Sequence, residues 1–261
     1  MTTRRRLDAE LVRRGLARSR QEAADLIASG AVLVDRVAVS KPATQVTDGV
    51  SIAVREDGPS FVSRGAHKLI EPLQEFGIDV AGRRALDAGA STGGFTQVLL
   101  EQGAAAVIAV DVGYGQLAWS LQQDPRVIVM DRTNVRHLTP DELPYPPNLI
   151  VGDLSFISLA KVLPALTSVA DPGADLVLLV KPQFEVGKGQ VGKGGVVREP
   201  RLHAAAITDV AAAARVCGYG VAGLTRSPLP GPSGNIEFVI WLRRGAPALN
   251  GAQGAGERMS R

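Results

Sequence analysis

The chain has 261 residues, of which 45% are hydrophobic, and a formal net charge of +3. This length predicts one or two domains, and the apolar content is sufficient for a buried core. The single cysteine, Cys217, excludes an intramolecular disulfide and favours a reducing cytoplasm, while no apolar run approaches the ~20 residues of a membrane-spanning helix. The basic N-terminus also lacks the apolar segment of a signal peptide. We therefore expect a cytoplasmic protein that does not act on the membrane.

Residues 1–54 are predicted to form a small α+β domain. A stripe of apolar residues from Leu7 indicates a first helix, and Ser19 is a candidate N-cap for a second helix that ends at Gly30. Short strands are expected at 32–34 and 51–54.

The charge of this domain is uneven. Residues 1–20 hold seven arginines, while Asp8 and Glu10 are the only acids there. A basic end of this kind indicates an anionic partner such as nucleic acid, although a solvated arginine-rich helix face is the alternative interpretation.

Residues 55–63 are predicted to be a linker, because Glu56-Asp57-Gly58-Pro59-Ser60 combines polar and turn-forming residues. Strands and helices then alternate over 64–244, which indicates an α/β domain whose parallel sheet is covered by helices on both faces. The strands are predicted at 84–88, 107–111, 127–131, 149–153, 175–181, 221–226 and 237–242. The helices are predicted near 94–102, 116–123, 158–169 and 201–217. Residues 245–261 are rich in Gly, Ala and Pro and are expected to fray.

The first strand of this domain leads into a glycine-rich turn, Gly89-Ala90-Ser91-Thr92-Gly93-Gly94, and Asp111 follows the second strand. This arrangement is typical of an open α/β sheet that binds a nucleotide-like ligand, with the acid held for a ribose. Several interpretations stay open. The turn fits a methyltransferase loop, with Asp87 at the strand end, and it also fits the Gly-x-Ser-x-Gly elbow of a serine hydrolase with His203 downstream. It fits a dinucleotide loop poorly, and it could be purely structural.

A second glycine-rich segment, Gly187–Gly194, nearly completes a phosphate-binding loop with Lys193 in place, but Gly194 replaces the Ser or Thr that holds magnesium. We therefore favour a lid or an RNA-contact loop. The three histidines show no ligand spacing, so no metal site is expected. Trp119 and Trp241 are predicted to fill the core.

Four polar residues are expected beside the glycine turn. Asp153 and Lys181 end predicted strands, Glu237 opens another, and Lys68 lies in the segment before the first strand. The carboxyl ends of parallel strands form the ligand crevice of such a sheet, so Asp153 and Lys181 are expected to point into the same cleft as Gly89 and Asp111. Taken singly, each could be a surface ion pair.

These residues carry a family resemblance. Residues 7–52 resemble an S4 RNA-binding domain; the matching residues are Arg6-Leu7-Asp8, Gly15, Ser19-Arg20, Ala23, Ile27, Gly30, Val32-Leu33-Val34-Asp35 and Lys41-Pro42. Residues 60–244 resemble the RrmJ/FtsJ-like 2′-O-methyltransferases, whose Lys-Asp-Lys-Glu tetrad matches Lys68, Asp153, Lys181 and Glu237. With Ser63-Arg64-Gly65-Ala66-His67-Lys68-Leu69, Asp153-Leu154-Ser155-Phe156-Ile157-Ser158 and Lys181-Pro182-Gln183-Phe184-Glu185, the chain closely resembles the TlyA family.

The resemblance implies a Rossmann-like class I methyltransferase domain behind an S4-like domain. It implies S-adenosylmethionine-dependent 2′-O-ribose methylation of cytidine in 16S or 23S ribosomal RNA, or in both, with ribosomal RNA or ribosomal subunits as partners. The residues expected to hold the cofactor are Asp87, Gly89, Ser91, Thr92, Gly93, Gly94, Phe95, Asp111, on the ribose, and Asn134, near the adenine. The residues expected to contact RNA are Arg4, Arg6, Arg18, Arg20, Lys41 and Arg64.

The tetrad suits this chemistry, because a ribose hydroxyl is a poor nucleophile and must lose its proton as it attacks the methyl group. Lys181 is the candidate base, provided that its amine is neutral when it acts. Lys68, Asp153 and Glu237 are expected to orient the amines and the hydroxyl. Two alternatives stay open: a membrane-active haemolysin, which is a frequent label of the family, and a non-catalytic assembly factor that binds ribosomal RNA.

Overall fold

The computed structural model describes residues 4–28, 30–54 and 61–249. The chain divides into two compact units, Met1–Phe61 and Val62–Arg261. Most of the predicted linker, residues 55–60, and most of the predicted tail, residues 250–261, lie outside the described residues.

The N-terminal unit is a small α+β fold. Its elements are β1 (Arg4–Arg6), α1 (Leu7–Arg13), α2 (Arg20–Ala28), β2 (Val32–Val34), β3 (Val37–Ala38), β4 (Gln45–Thr47) and β5 (Ile52–Val54). Strand β1 pairs antiparallel with β4, and β2 pairs antiparallel with both β3 and β5. Both predicted helices are present, whereas β1, β3 and β4 were not predicted from the sequence. These strands have two or three residues, too few for alternating polarity to become visible.

The second unit is built from alternating strands and helices. Its elements are α3 (His67–Glu75), β6 (Arg84–Ala88), α4 (Gly94–Glu101), β7 (Ala106–Val110), α5 (Trp119–Gln122), β8 (Val127–Met130), β9 (Leu149–Gly152), α6 (Leu163–Val169), β10 (Asp175–Val180), α7 (Pro182–Glu185), α8 (Pro200–Val216), β11 (Tyr219–Arg226) and β12 (Phe238–Arg244). Six short 3₁₀ turns connect them within the described ranges. All seven predicted strands are present, which confirms the α/β class.

The seven strands form one sheet in the order β11-β12-β10-β9-β6-β7-β8. Strands β6 to β10 are parallel to one another, whereas β12 is antiparallel to both β10 and β11. The start of β12 therefore lies at the same edge of the sheet as the ends of β9 and β10. Because Val180 pairs with Phe238, the residues just beyond that pair, Lys181 and Glu237, are neighbours by register.

The sheet core is strongly apolar. Every residue of β10 is buried, as expected for a central strand covered on both faces. One cluster of buried side chains joins the sheet to α6 and α8 and includes Leu163, Leu166, Ile207 and Val210.

The prediction that Trp119 fills the core is wrong, because 74% of its surface is exposed. The neighbouring Leu117 and Leu121 are buried instead, and both pack over Gly93. Trp241 is half-buried and stacks on Phe76. Among the described helices, none combines the length and apolar character needed to cross a membrane.

Candidate active site

The glycine turn after β6 has the backbone that its sequence predicts. Gly89 and Gly93 have φ values of +84° and +101°, and Ser91 between them also lies in the left-handed region. A Cβ atom at Gly89 would lie 3.1 Å from the carbonyl oxygen of Asp153. Glycine is thus required there both for conformation and for the close approach of the loop that follows β9. Helix α4 begins directly after the turn.

Asp111 fastens this turn to the loop after β7. One carboxylate oxygen accepts a hydrogen bond from the Ser91 amide at 2.8 Å, and the other accepts one from the Gly113 amide at 2.7 Å. The sequence places Asp111 beside the turn, and the structure brings the two together. Asn134 is exposed, and its side-chain oxygen accepts from the Arg136 amide at 3.0 Å, capping the 3₁₀ turn at 135–137.

Asp87 is fully buried at the base of the same turn. Its Oδ2 accepts a hydrogen bond from the Thr96 hydroxyl at 2.7 Å, whereas its Oδ1 has no hydrogen-bond partner among the described residues. The pKa of this carboxyl group is raised to about 7, mainly by burial; the Thr96 hydrogen bonds lower it, and the negative charges of Asp153 and Asp111 raise it. A buried acid with a raised pKa and an oxygen without a partner is a candidate functional group.

The four polar residues predicted to converge lie in one continuous set of ion pairs. The Nζ atom of Lys68 is 2.6 Å from Glu237 Oε2 and 3.7 Å from Asp153 Oδ2, while Lys181 Nζ is 2.6 Å from Asp153 Oδ1. Both amines and the Glu237 carboxylate are almost fully buried, whereas Asp153 is half-buried. Asp153 thus lies between the amines of Lys68 and Lys181, with one oxygen toward each.

Two further polar residues complete this arrangement, and the sequence did not single them out for it. Lys181 donates a hydrogen bond to the Ser155 hydroxyl at 2.9 Å, and Gln183 donates from Nε2 to Glu237 Oε1 at 3.2 Å. The opposite amide oxygen of Gln183 is buried and has no partner among the described residues. Both residues belong to segments that resemble the family, Asp153–Ser158 and Lys181–Glu185, which is the signal that could have found them.

A hollow of about 390 Å³ opens beside Gln183; we call it the aromatic hollow. It is lined by Arg136, Phe156, Ile157, Ser158, Lys161, Gln183, Phe184, Val186 and Val191. The rings of Phe156 and Phe184 lie 5.2 Å apart, and Phe156 is 91% exposed. Phe156 also has a positive φ of 64°, which is strained for an aromatic residue. An aromatic side chain held open to solvent in this way can stack on a planar ligand.

Glu185 holds the loop that carries Phe156 in place. Its carboxylate accepts from the Ser158 hydroxyl at 2.6 Å and from the Leu159 amide at 2.8 Å. Burial raises the pKa of this group. The contact ties the loop after β9 to α7, the one-turn helix after Lys181.

Several predicted RNA-contact residues form ion pairs with acids of their own domain. Asp8 accepts from Arg6 at 2.9 Å and Arg20 at 3.0 Å, and Arg18 pairs with Glu22 at 2.9 Å. By contrast, Arg4, Lys41 and Arg64 are exposed, and their side chains form no hydrogen bond or ion pair with a residue that the structure describes.

The alternatives for the two glycine-rich segments find little support in the geometry. His203, which the hydrolase interpretation requires, is buried against Phe238 with its Nε2 2.9 Å from the Val197 carbonyl oxygen. Residues 187–195 form two 3₁₀ turns, and the next helix starts only at Pro200, so the helix of a phosphate-binding loop is missing at this point. No group of three His, Cys, Asp or Glu side chains within 4–28, 30–54 and 61–249 is placed to hold a metal ion.

Comparison with known proteins assigns both parts of the chain to described families. Residues 61–244 match the family model of the FtsJ-like methyltransferases, and residues 5–52 match that of the S4 domain. The chain belongs to the FtsJ-like methyltransferase family. This confirms the predicted Rossmann-like fold and the S4-like domain, and the strand order of the sheet agrees with it.

Relatives of this FtsJ-like methyltransferase cover its whole length. It is 58% identical over 262 residues to the 16S/23S rRNA (cytidine-2′-O)-methyltransferase TlyA of Mycobacterium tuberculosis, covering 100% of this chain and 98% of the relative. It is 44% identical to YqxC of Bacillus subtilis over 91% of this chain and 85% of the relative. A solved Streptococcus thermophilus structure, described as a candidate haemolysin, matches with a TM-score of 0.74 and 39% identity over 94% of this chain and 90% of its own.

The glycine turn fits the cofactor of this family, S-adenosylmethionine. Glycines at positions 89, 93 and 94 leave no side chain where the backbone must approach a ligand closely, and Asp111, the predicted ribose ligand, is hydrogen-bonded to this turn. The unpaired Oδ1 of Asp87 leaves an acceptor at its base. The residues predicted to hold the cofactor are Asp87, Gly89, Ser91, Thr92, Gly93, Gly94, Phe95, Asp111 and Asn134, and this set stays a prediction.

Proposed function

We propose that this protein transfers a methyl group from S-adenosylmethionine to the 2′-hydroxyl of a cytidine in ribosomal RNA. The observation that carries the proposal is the buried set of ion pairs Glu237–Lys68–Asp153–Lys181 directly beside the glycine turn. The full-length likeness to a 16S/23S rRNA (cytidine-2′-O)-methyltransferase supports cytidine as the target.

The cofactor supplies an activated methyl group on a sulfonium, so the protein's main tasks are to position the ribose and remove its proton. Two buried amines at the sheet edge can do both. The methyl acceptor is a neutral hydroxyl that becomes negative as it loses its proton, and buried ammonium groups stabilise such developing charge. A site with two lysines and two acids therefore matches the demand of 2′-O-transfer.

Lys181 is the proposed base. Its Nζ contacts Asp153 and donates to Ser155, and it can accept the hydroxyl proton only as a neutral amine. Asp153, 2.6 Å away, stabilises the ammonium group that forms when the proton arrives.

Lys68 is proposed to stay charged and to hold the ribose oxygen. It is fixed by Glu237 at 2.6 Å, and Glu237 is fixed in turn by Gln183. This second pair keeps a positive charge at a constant place while Lys181 changes its protonation state. The two lysines are given different roles because their nearest acidic partners differ: Glu237 for Lys68 and Asp153 for Lys181.

The aromatic hollow is the proposed site of the target base. Sequence-specific recognition of RNA usually uses an unstacked base placed on an aromatic ring, and Phe156 offers such a ring next to the tetrad. Arg136 and Lys161, which line the hollow and pair with no acid among the described residues, suit the surrounding phosphates. Ribosomal RNA lies in the cytoplasm, where we expect the protein to act.

The S4 domain is proposed to bind the same RNA through Arg4, Lys41 and, from the second unit, Arg64, since these cations have no acid of their own among the described residues. Arg6, Arg18 and Arg20 are proposed to contribute less than the sequence suggests, because each is already paired. Phosphate contacts of this kind fix the register of the RNA without reading its sequence.

The experiment is transfer of tritium from labelled S-adenosylmethionine to ribosomal subunits by the wild type, Lys181→Arg and Lys68→Arg. Guanidinium cannot give up its proton near neutral pH, so Lys181→Arg is expected to lower the transfer rate by about 10²–10⁴-fold with unchanged cofactor affinity. Lys68→Arg keeps the charge and is expected to lose less.

Near-normal transfer by Lys181→Arg would exclude Lys181 as the base. Absence of transfer by the wild type, together with tight binding of ribosomal RNA, would favour the non-catalytic assembly factor. Release of dye from lipid vesicles by the purified protein would favour the haemolysin alternative.

A further inference from the structure

A second hollow adjoins the tetrad on the side of Glu237. It has a volume of about 250 Å³ and is lined by Arg226, Ser227, Pro228, Pro230, Ile236 and Glu237; we call it the proline hollow. Glu237 lines this hollow while its hydrogen-bond partner Gln183 lines the aromatic hollow. The two hollows therefore lie next to each other, with the Gln183–Glu237 contact between them.

Arg226 is held at this place by the sheet. It ends β11 in register with Phe238, the residue after Glu237, and the Ser227 amide donates to the Glu237 carbonyl oxygen at 2.9 Å. Its side chain is exposed and forms no hydrogen bond or ion pair with any residue in the described part of the chain. Pro228 and Pro230 have a restricted backbone, which keeps the wall beside it stiff. An arginine without an acid, at the rim of a stiff hollow, is an anion-binding group.

We propose that the proline hollow binds the phosphodiester on the 3′ side of the target ribose and that Arg226 is its ligand. The inference rests on the proposed function. The 3′-phosphate is carried by the ring carbon next to the one that bears the 2′-hydroxyl, so an enzyme that holds this hydroxyl at its lysines must also accommodate that phosphate close by. The 5′-phosphate lies beyond the opposite side of the ring.

The linings of the two hollows suit two different substituents of the ribose, the base and the 3′-phosphate. The aromatic hollow offers the rings of Phe156 and Phe184 to a base, whereas the proline hollow has no aromatic residue and presents a guanidinium. A guanidinium can donate two parallel hydrogen bonds to a phosphate.

The one anionic group lining the proline hollow is Glu237, which would face the phosphate. Its charge is balanced by Lys68 at 2.6 Å, and Gln183 donates to its other oxygen. The repulsion of a phosphate by this carboxylate is thereby reduced, and Arg226 adds an uncompensated positive charge.

The test compares Arg226→Ala, Arg226→Lys and the control Arg215→Ala. Arg215 is also an exposed arginine whose side chain has no partner in the described chain, but it lies on α8 and lines neither hollow. Arg226→Ala is expected to lower kcat/KM for ribosomal subunits by about 10- to 100-fold. It is also expected to reduce the slope of log affinity against log salt by about 0.7–0.9, as the loss of one phosphate contact requires.

Arg226→Lys is expected to retain the salt slope, and Arg215→Ala to resemble the wild type. Cofactor affinity is expected to stay unchanged in all three. An unaltered salt slope in Arg226→Ala would overturn the proposal, because a merely structural role would not move it and a phosphate contact must.

Small nucleotides test which phosphate is bound. Cytidine 3′-monophosphate is expected to bind the wild type more tightly than cytidine 5′-monophosphate, and Arg226→Ala to abolish that difference. Equal binding of the two nucleotides by the wild type, no binding of either, or a preference that survives in Arg226→Ala would each overturn the proposal. Nucleotide binding is read without turnover, so a wild type that binds as expected but transfers no methyl would instead refute the proposed function.

Discussion

In both units of this molecule, an acidic side chain pairs with more than one cation, but the ion pairs have different roles. In the N-terminal unit, the buried acid Asp8 pairs with two arginines and the buried acid Glu10 with three, and in the catalytic unit Asp153 lies between two lysines. The arginines of Asp8 point outward, with side chains 47% and 61% exposed, whereas the two lysines are nearly buried. The exposed arginines that pair with Asp8 stabilise the fold of the N-terminal unit. The buried lysines that pair with Asp153 lie beside an open hollow and can act on a substrate.

The pKa values of Asp8 and Glu10 in the N-terminal unit and of Asp87 in the catalytic unit are shifted in opposite directions. Arg6 holds the pKa of Asp8 far below its usual range, and Arg13 and Arg14 lower that of Glu10 to about 2. In the catalytic unit, burial raises the pKa of Asp87 to about 7. The first acids are stabilised as anions by cations, whereas the last lacks a cation and is stabilised as the neutral acid.

Among the acids, the largest expected effect concerns Asp111, which accepts hydrogen bonds from two backbone amides and is predicted to bind the cofactor ribose. Asp111→Ala is expected to weaken S-adenosylmethionine binding by roughly 1.5–3 kcal/mol, or about 10- to 150-fold, because hydrogen bonds to a charged acceptor are lost. Calorimetry with Asp124→Ala as control measures this, since Asp124 only pairs with Arg126 on the surface. Equal affinity of Asp111→Ala and the wild type would contradict the placement of the cofactor.

Glu10→Gln tests the structural use of an acid in the N-terminal unit. The pKa of Glu10 is lower in the folded protein, so its contribution to stability is complete above 4.5 and is lost as the pH falls toward 2. The substitution is expected to lower the free energy of unfolding at pH 7 by about 1–3 kcal/mol and to make it less dependent on pH between 4.5 and 2. Urea unfolding at pH 7 and pH 3 is the measurement. A variant that loses as much stability on acidification as the wild type would refute the role given to Glu10.

Asp87→Asn tests a carboxyl group whose pKa is raised, rather than lowered, in the folded protein. The folded protein keeps a proton on Asp87 up to about pH 7, whereas the unfolded chain releases it near 3.8, so wild-type stability falls as the pH rises through this window. Asparagine cannot ionise and can keep the Thr96 contact. The variant is expected to be more stable than the wild type at pH 8 by on the order of 1 kcal/mol, with a flatter profile between pH 4 and 7. Thermal unfolding at pH 5 and pH 8 decides this, and an unchanged profile would speak against the buried neutral acid.

The smallest effects separate free from paired cations in the S4 domain. Arg4→Ala and Lys41→Ala are each expected to lower the salt slope of ribosomal RNA binding by about 0.7–0.9, and Arg18→Ala by less because Glu22 already neutralises Arg18. Equal losses in all three variants would show that the ion pairs within the domain open on binding.

The sequence alone predicted the elements that place the site, since long strands of apolar residues have a clear pattern. Asp153 and Lys181 were expected together because each ends a parallel strand, and Asp111 because it follows another strand of the same sheet. Lys68 and Glu237 were also expected beside the glycine turn, but the sequence did not show how the fold places them: α3, which carries Lys68, was not predicted, and the orientation of β12 cannot be read from its sequence.

The sequence did not predict which side chains pair with one another or which are exposed. Seven arginines among the first twenty residues suggested a broad RNA-binding surface, but Arg6, Arg18 and Arg20 pair with acids, whereas Arg4 has no such partner among the described residues. Trp119 was assigned to the core by residue type, although Leu117 and Leu121 fill that space. The exposed ring of Phe156 depends on a positive φ that no propensity indicates.

The most direct test of the account identifies the product. Purified protein is incubated with ribosomal subunits and labelled S-adenosylmethionine, and the RNA is digested to nucleosides and separated. We predict label in 2′-O-methylcytidine with the wild type and its loss with Lys181→Arg. Label on a base, on a nucleoside other than cytidine, or undiminished in Lys181→Arg would contradict the role given to the Lys68–Asp153–Lys181–Glu237 tetrad.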